Sequence, residues 1–427
     1  MKPSSNANFL RLLSYTKKLT TFVNHGCHDN ALSLFYHIHS ALALPLDSYV
    51  FPLTLKSCSA LNRPLLGTSI HAHLTKTSFL SNPFVGSALV DFYGKCVSLS
   101  SARQMFDEMP HRNDVVWNAM ISLYAHSNNI SMALRMFDSM DISPNISTFN
   151  TIIDGLSRLN DGSYNALAFH RRMQDFGLRP NLITALALLS ACTGVGILKL
   201  IKEIHGYTLR NAIDMNPQLR SCFVEAYGRC GCVSYACFIF YSMKESDRDV
   251  VTWSSLISTY ALHGEARKAL EIFDEMEGVN IKPDGITLLG VLKACSHAGL
   301  ADEAKRYIAR MHEVYGVEIT SDHYSCLVDV LSRAGRLYEA YEVLTKMSVK
   351  ATANAWGALL GACRTYGEVE LAEVAARALF EIEPDNAANY VLLARIYASA
   401  GRYEEANRLR TEMKERRVKI SPGSSRV

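Results

Sequence analysis

Two groups of residues in this sequence have the types and spacing to do chemistry. His263-Gly264-Glu265 matches the H-x-E half of a zinc deaminase site, where the His would bind metal and the Glu would shuttle protons. Cys222, Cys230, Cys232 and Cys237 put four thiols in one short stretch, enough ligands for a zinc ion. Both readings weaken on inspection. No two of the 11 cysteines stand three apart, so the C-x-x-C that would complete either site is absent. Tyr93-Gly94-Lys95-Cys96 recurs as Tyr227-Gly228-Arg229-Cys230, so duplication explains Cys230 without a metal. Glu404-Glu405 is a paired carboxylate on the solvated face of a helix. There is no P-loop and no Gly-rich dinucleotide fingerprint. The expectation is a protein that is not an enzyme and has no cofactor and no metal.

Composition narrows the class. Hydrophobic residues are 48% and charged residues 20%, an ordinary globular balance for 427 residues. Lys+Arg 44 against Asp+Glu 41 gives +3, which excludes a polybasic protein but leaves room for a local basic stripe. No run of 18 apolar residues occurs, so neither a spanning helix nor a membrane partner is expected. Most cysteines sit in apolar helical patterns, where a thiol packs as a small hydrophobe, which fits a reducing compartment.

The elements that position these residues are repeats. Methionines end similar segments at Met109, Met140, Met173, Met243, Met276, Met311, Met347 and Met413; the span of 304 residues holds nine intervals of 33.8. Gly precedes Ala by five residues at Gly26/Ala31, Gly231/Ala236, Gly264/Ala269, Gly299/Ala304, Gly335/Ala340, Gly367/Ala372 and Gly401/Ala406. Val97/Ala102 and Asn128/Ala133 fill the same place without the Gly.

Residues 250–284 show the physics of one unit. Trp253, Leu256, Ile257 and Tyr260 form the apolar face of a first helix. Gly264 supplies a left-handed cap. Ala269, Leu270, Ile272, Phe273 and Met276 face inward from a second helix, and small Ala269 permits close approach. Pro283 stops the chain and Asp284 caps the next helix. One such hairpin cannot bury both faces, so it must stack on its neighbours. The expected fold is all-α, a right-handed superhelical solenoid of antiparallel helix pairs. The units read as 12–47, 48–82, 83–113, 114–145, 146–181, 182–216, 217–249, 250–284, 285–320, 321–352, 353–386 and 387–420.

Two helical families share this period, and residues 387–413 alone would pass for a tetratricopeptide unit. DVVWNAMISLY (114–124), STFNTIIDGL (147–156), VTWSSLISTY (251–260), IFDEM (272–276) and IKPD (281–284) resemble pentatricopeptide repeats instead. Residues 48–74 and 187–210 resemble the long variant unit, and 83–96 and 217–231 the short one. The alternation is similar to the mixed-type pentatricopeptide proteins of land-plant organelles, over about residues 12 to 423. Residues 355–418 resemble the family's extension motifs, and 421–427 the opening of a further segment. The deaminase-like domain ending in Asp-Tyr-Trp that some relatives carry has no counterpart in the sequence. The resemblance thus implies about ten repeats over 12–352, two E-type extension repeats over 353–420 and a short tail at 421–427.

The resemblance also implies where single-stranded RNA would be read: the fifth and last residues of a unit, matched by hydrogen bonds to one base edge. Thr16 with Asp47 resembles a guanine reader in a degenerate unit. Ser87 with Asn113 resembles an adenine reader. Asn118 with Asn145 and Asn150 with Asn181 resemble pyrimidine readers, and Ser221 with Asp249 and Ser254 with Asp284 lean towards guanine. Pro52 with Asn82, Leu186 with Asn216, Leu289 with Thr320 and Ser325 with Thr352 assign no base. The implied core target is G-x-A-Y-Y-x-G-G, 5′ to 3′. A structural alternative is that Asn145, Asn181 and Asp284 only cap helices after Pro. Ser87, Asn118, Asn150, Ser221 and Ser254, polar residues in apolar first helices, are harder to explain by packing.

The stretch before Asp29 has no acidic residue but holds Lys2, Arg11, Lys17 and Lys18 with several Ser and Thr, a transit-peptide composition. Residues 1–11 are therefore expected to belong to a targeting segment, for the mitochondrion or alternatively the chloroplast. The expected function is site recognition for C-to-U RNA editing, with a separate deaminase recruited through 353–420. RNA stabilisation, splicing or translation, or a tetratricopeptide-like protein-binding solenoid, are the alternatives. The low net charge predicts few phosphate contacts and a shallow salt dependence.

Overall fold

The computed structural model describes residues 4–41, 48–109, 111–159, 161–213 and 216–416. Among them are 24 α-helices and no strand. They divide into two compact bodies, Met1–Val195 with Gly206–Asp214, and Gly196–His205 with Met215–Val427. No helix among the described residues is long and apolar enough to cross a membrane.

In the first body, the first helices Val50–Ala60, Pro83–Cys96, Asp114–His126, Ile146–Ser157 and Leu182–Val195 pack side by side in chain order. Behind the first four lie their second helices, Pro64–Thr75, Leu99–Glu108, Ile130–Asp138 and Ser163–Asp175. The helix Ser4–Asn24 precedes them and already begins inside the segment expected to be a targeting signal; residues 1–3 lie outside the described residues. The second body repeats the plan. Its first helices are Pro217–Arg229, Val250–Leu262, Gly285–Ala298, Ser321–Arg333, Ala353–Tyr366 and Ala387–Ser399. Their partners are Val233–Ser242, Ala266–Gly278, Ala301–Glu313, Leu337–Lys346, Val369–Ile382 and Tyr403–Glu415. The tail from 417 onwards is outside the described residues.

Local chemistry sets the ends of these helices. Asn82, Asn113, Asn145, Asn216, Asp249, Asp284 and Thr352 each accept a first-turn backbone N–H. Gly26, Gly231, Gly264, Gly299, Gly335, Gly367 and Gly401 turn the hairpins at φ between 69° and 78°. Asn128 does the same at φ 56°, a conformation Asn tolerates. Val97 cannot: it ends its helix at φ −122°, so that hairpin turns without a left-handed residue.

The alanines that mark most second helices are buried, Ala102, Ala133, Ala166, Ala236, Ala269, Ala304, Ala340 and Ala372 all at 0% exposure, because the paired helices leave no room there. A second device links neighbouring units. The Phe106 ring meets Trp117 edge-on at 4.8 Å, and Phe240 meets Trp253 likewise at 4.8 Å. Arg112 and Arg248 each lie over the same Phe at 4.8 Å and donate Nε to its carbonyl. Each Arg ties the last turn of one unit to the loop that opens the next.

Gly228 sits where the helices Pro217–Arg229 and Val250–Leu262 touch. A Cβ there would lie 1.9 Å from Thr259 Oγ1, and Thr259 is buried and β-branched. Gly228→Ala is therefore expected to destabilise the second body by about 1–3 kcal/mol, the cost of overpacking. Thermal unfolding followed by circular dichroism checks this; an unchanged midpoint contradicts the close contact.

Candidate functional site

The residues that suggested catalysis are engaged elsewhere. His263 Nε2 lies 2.6 Å from the Gly228 carbonyl, and Glu265 pairs with Lys268 at 2.5 Å. Both tie down an ordinary hairpin turn. Burial pushes the Cys222 thiol up to about 11, and Cys237 Sγ lies 2.9 Å from the Tyr260 hydroxyl. Among the described residues no three His, Cys, Asp or Glu side chains come together to hold a metal.

The polar residues of the first helices behave differently. At Asn118, Asn150, Ser221 and Ser254 the fifth residue meets the cap region of the next first helix, because the first helices pack side by side. Asn118 Nδ2 donates to Asn145 Oδ1 at 3.4 Å, and Asn150 Nδ2 donates to Asn181 Oδ1 at 3.2 Å. Ser221 and Asp249 meet through a third residue: Ser221 Oγ lies 2.5 Å from Thr252 Oγ1, which donates to Asp249 Oδ1 at 2.6 Å. Ser254 and Asp284 repeat this through Thr287, at 2.6 and 2.7 Å. Capping and pairing are thus combined in the same residues, not alternatives.

The other pairs differ. Ser87 donates to the Phe84 carbonyl and Asn113 caps at Val116, so the two are not joined. Thr16 donates to the Leu12 carbonyl, and Asp47 is outside the described residues. Asn82 and Asn216 cap their helices at Phe84 and Leu219. Ser325 and Thr352, which assign no base by resemblance, are joined directly at 2.8 Å between hydroxyls. Thr320 is capped by His323, which reaches back to the Gly285 carbonyl at 2.8 Å.

Two further rows were missed in the sequence. The second residue of the first helix, or of the turn just before it, is a large exposed apolar side chain at Tyr49, Phe84, Val115, Ile183, Val251 and Ile286. The third is a fully buried Thr at Thr148, Thr184, Thr252 and Thr287. The signal for the second row was available: Asn or Asp is followed three residues later by Thr at all four places. In the second body, Val251, Ser254, Asp284, Ile286, Leu289 and Lys293 line a pocket of about 520 Å³, so the fifth residue, the cap and apolar residues share one cavity.

Several cations of the first helices pair with an acid of the same helix, whereas Lys293 lines the pocket. Lys95 pairs with Asp91 at 2.9 Å, Arg229 with Glu225 at 3.0 Å and Arg333 with Asp329 at 3.0 Å, each one turn apart on a first helix. Arg158 and Asp154 make the same pair.

Comparison with known proteins places this geometry. The profile of the PPR repeat family matches residues 112–158 and 248–297, a PPR repeat profile matches 221–247 and 322–350, and an E motif profile matches 366–427. A putative pentatricopeptide repeat-containing protein of Arabidopsis thaliana is 59% identical over 425 residues, covering 100% of this chain and 99% of the relative. The chain belongs to the pentatricopeptide repeat family. The chloroplastic pentatricopeptide protein CRR2 of Arabidopsis thaliana is 37% identical over 94% of this chain and 56% of its own length. Another relative from that plant, 34% identical over 97% of this chain and 60% of its own, is named mitochondrial. The solved pentatricopeptide repeat protein PPR10, in complex with an 18-nt psaJ RNA element, aligns with a TM-score of 0.70 at 19% identity, over 95% of this chain and 61% of that one. That likeness shows the fold, an α-helical solenoid of repeats.

Proposed function

We propose that this pentatricopeptide protein binds single-stranded RNA in a sequence-specific way, one base per unit. The observation that carries the reading is the recurrence of one arrangement, a polar fifth residue bonded to the next cap directly or through Thr at Asn118, Asn150, Ser221 and Ser254, with exposed Val251 and Ile286 on either side of the last. Polar groups of this kind match a base edge, and flanking apolar side chains sandwich its faces, worth roughly 1–3 kcal/mol per base. Family membership and the RNA held by PPR10 support it. A peptide-binding solenoid of the tetratricopeptide kind would instead clamp a carboxylate with Lys and Arg; here Lys95, Arg158, Arg229 and Arg333 are each paired with an acid of their own helix.

Within that reading the protein selects a cytidine for C-to-U editing in an organelle. The E motif match at 366–427 supports recruitment of a separate deaminase through 353–420. The repeat array is assigned to 12–352, with Thr16, Asp47, Ser87, Asn113, Asn118, Asn145, Asn150, Asn181, Ser221, Asp249, Ser254 and Asp284 as reading residues. The mitochondrion is the first assignment and the chloroplast the second, since relatives carry either name.

The test is selection by the purified chain from a randomised single-stranded RNA pool. Enrichment near G-x-A-Y-Y-x-G-G supports the reading and its register. A different enriched motif keeps RNA binding and overturns the register. No RNA retained by a folded chain overturns the function. With several first-helix cations paired within their own helices, the slope of log affinity against log salt should be no steeper than about −4. A steeper slope places affinity in phosphate contacts instead of bases.

A further inference from the structure

We propose that the Thr at the third position of a first helix positions the reading pair of the unit before it and sets whether that pair shows a base donors or acceptors. The inference rests on the RNA reading above and adds a residue to the Asn150/Asn181, Ser221/Asp249 and Ser254/Asp284 sites.

In the Ser/Asp sites the proton count is closed. Asp249 is a carboxylate, so Thr252 must donate to it across 2.6 Å. The single proton of Ser221 then goes inward, to Thr252 Oγ1 at 2.5 Å or the Pro217 carbonyl at 2.9 Å. Ser254 is held the same way by Thr287 at 2.6 Å and the Val250 carbonyl at 2.6 Å, while Thr287 donates to Asp284. In either arrangement only oxygen lone pairs face outward. An acceptor pair suits the base with two adjacent donors on its Watson–Crick edge, guanine, with N1–H and N2–H₂.

In the Asn150/Asn181 site the same Thr has the opposite effect. Thr184 Oγ1 accepts the Asn181 N–H at 3.1 Å, and its single proton goes to Asn150 Oδ1 at 2.7 Å, the nearer acceptor, with Asn181 Oδ1 at 3.0 Å. Asn181 Oδ1 is occupied by the Thr184 N–H at 3.0 Å and by Asn150 Nδ2 at 3.2 Å. Both carbonyl oxygens are thereby turned inward, and the remaining amide N–H groups are left to donate. Two donors suit adjacent acceptors. Cytosine has them in N3 and O2; uracil carries a proton on N3. This site should prefer cytosine.

The Asn118/Asn145 site has the same two residue types but lacks the lock. Thr148 bonds only within the cap, to Asn145, and Asn118 Oδ1 is buried without a hydrogen-bond partner. Asn145 Nδ2 is drawn to Asp114 at 2.8 Å. Only the long 3.4 Å bond from Nδ2 to Asn145 Oδ1 holds the Asn118 amide, so this site should accept cytosine and uracil alike.

The experiment is pool selection with the full chain and its Thr184→Val and Thr184→Ser variants, read as the C:U ratio at each position. The wild type should favour C over U roughly three- to tenfold at the Asn150/Asn181 position, the range of one neutral hydrogen bond, and show no preference at its neighbour. T184V should bring the first ratio to that of the second, leaving other positions unchanged; T184S should keep it. A melting curve confirms that each variant is folded. A motif enriched as expected but with a C:U ratio insensitive to T184V, or already equal in the wild type, overturns the positioning role and leaves RNA reading intact. No enrichment by the folded wild type overturns both.

Discussion

Phe240→Ala should cost the second body about 3–5 kcal/mol, the loss typical of a fully buried aromatic. Phe240 has 0% exposure and is the joint between two units. Its ring packs edge-on against Trp253 of the next first helix at 4.8 Å, and Arg248 covers it at 4.8 Å. Arg248 also donates to the carbonyls of Phe240 and Met243, which hold the loop leading into Asp249. Removing the ring therefore loosens more than one unit's core: it weakens the interface that carries cooperativity along a repeat array. Trp253 Nε1 is already buried without a partner, so its pocket has little reserve. Calorimetry should show a lower midpoint and a transition resolved into two, because units on either side no longer melt together. A single transition at the wild-type midpoint would sink the idea that this joint couples neighbours. Phe106→Ala, at the equivalent joint with Trp117, should act in the same sense on the first body.

The helices were legible in the sequence because their ends are written in residues with few alternatives. Pro144-Asn145, Pro180-Asn181 and Pro283-Asp284 announce a stop and a cap, and Gly264 or Gly335 announces a left-handed turn. The small alanines were legible too, since a recurrence of Ala every 31 to 36 residues between large apolar residues has no surface explanation. Val97 shows the limit: it stands in the place of a Gly, yet its branched side chain bars the left-handed turn, and the period alone does not reveal that the hairpin closes differently.

The site was only half legible. The fifth and last residues stand out because Asn and Ser are costly in an apolar helix face. The Thr between them does not, since Thr252 and Thr287 read as ordinary capping residues until the next unit's packing brings Ser221 and Ser254 within 2.6 Å. The exposed row of Val251, Ile286 and Phe84 was hidden for a related reason. In an amphipathic pattern an apolar second residue looks like core; only the docking of neighbouring first helices leaves it outside.

The largest functional effect should come from Asp249→Asn together with Asp284→Asn. Asn caps a helix as well as Asp does, so both first helices should keep their starts and the fold its stability. What changes is the outward polarity. Each Asp accepts a backbone N–H and a Thr hydroxyl on Oδ1, at 2.9 and 2.6 Å for Asp249 and 2.8 and 2.7 Å for Asp284. The other oxygen is the acceptor left for a base. Asn keeps Oδ1 for the cap and puts an amide N–H₂ in that place, opposite the N–H donors of guanine. A donor then faces a donor, and a charge-assisted hydrogen bond is lost, worth about 1.5–3 kcal/mol, or roughly 10- to 100-fold per position. The double variant should fall by at least about 100-fold on an RNA with guanine at both positions, and should gain on bases that offer acceptors there. Binding titrations with RNAs differing only at those two positions measure it, with a melting curve as the control for folding. Equal loss on every RNA would assign Asp249 and Asp284 to the scaffold. Loss confined to the guanine-bearing RNAs would show that a residue which starts a helix also reads a base, with its buried oxygen committed to the cap and its outer one to the base.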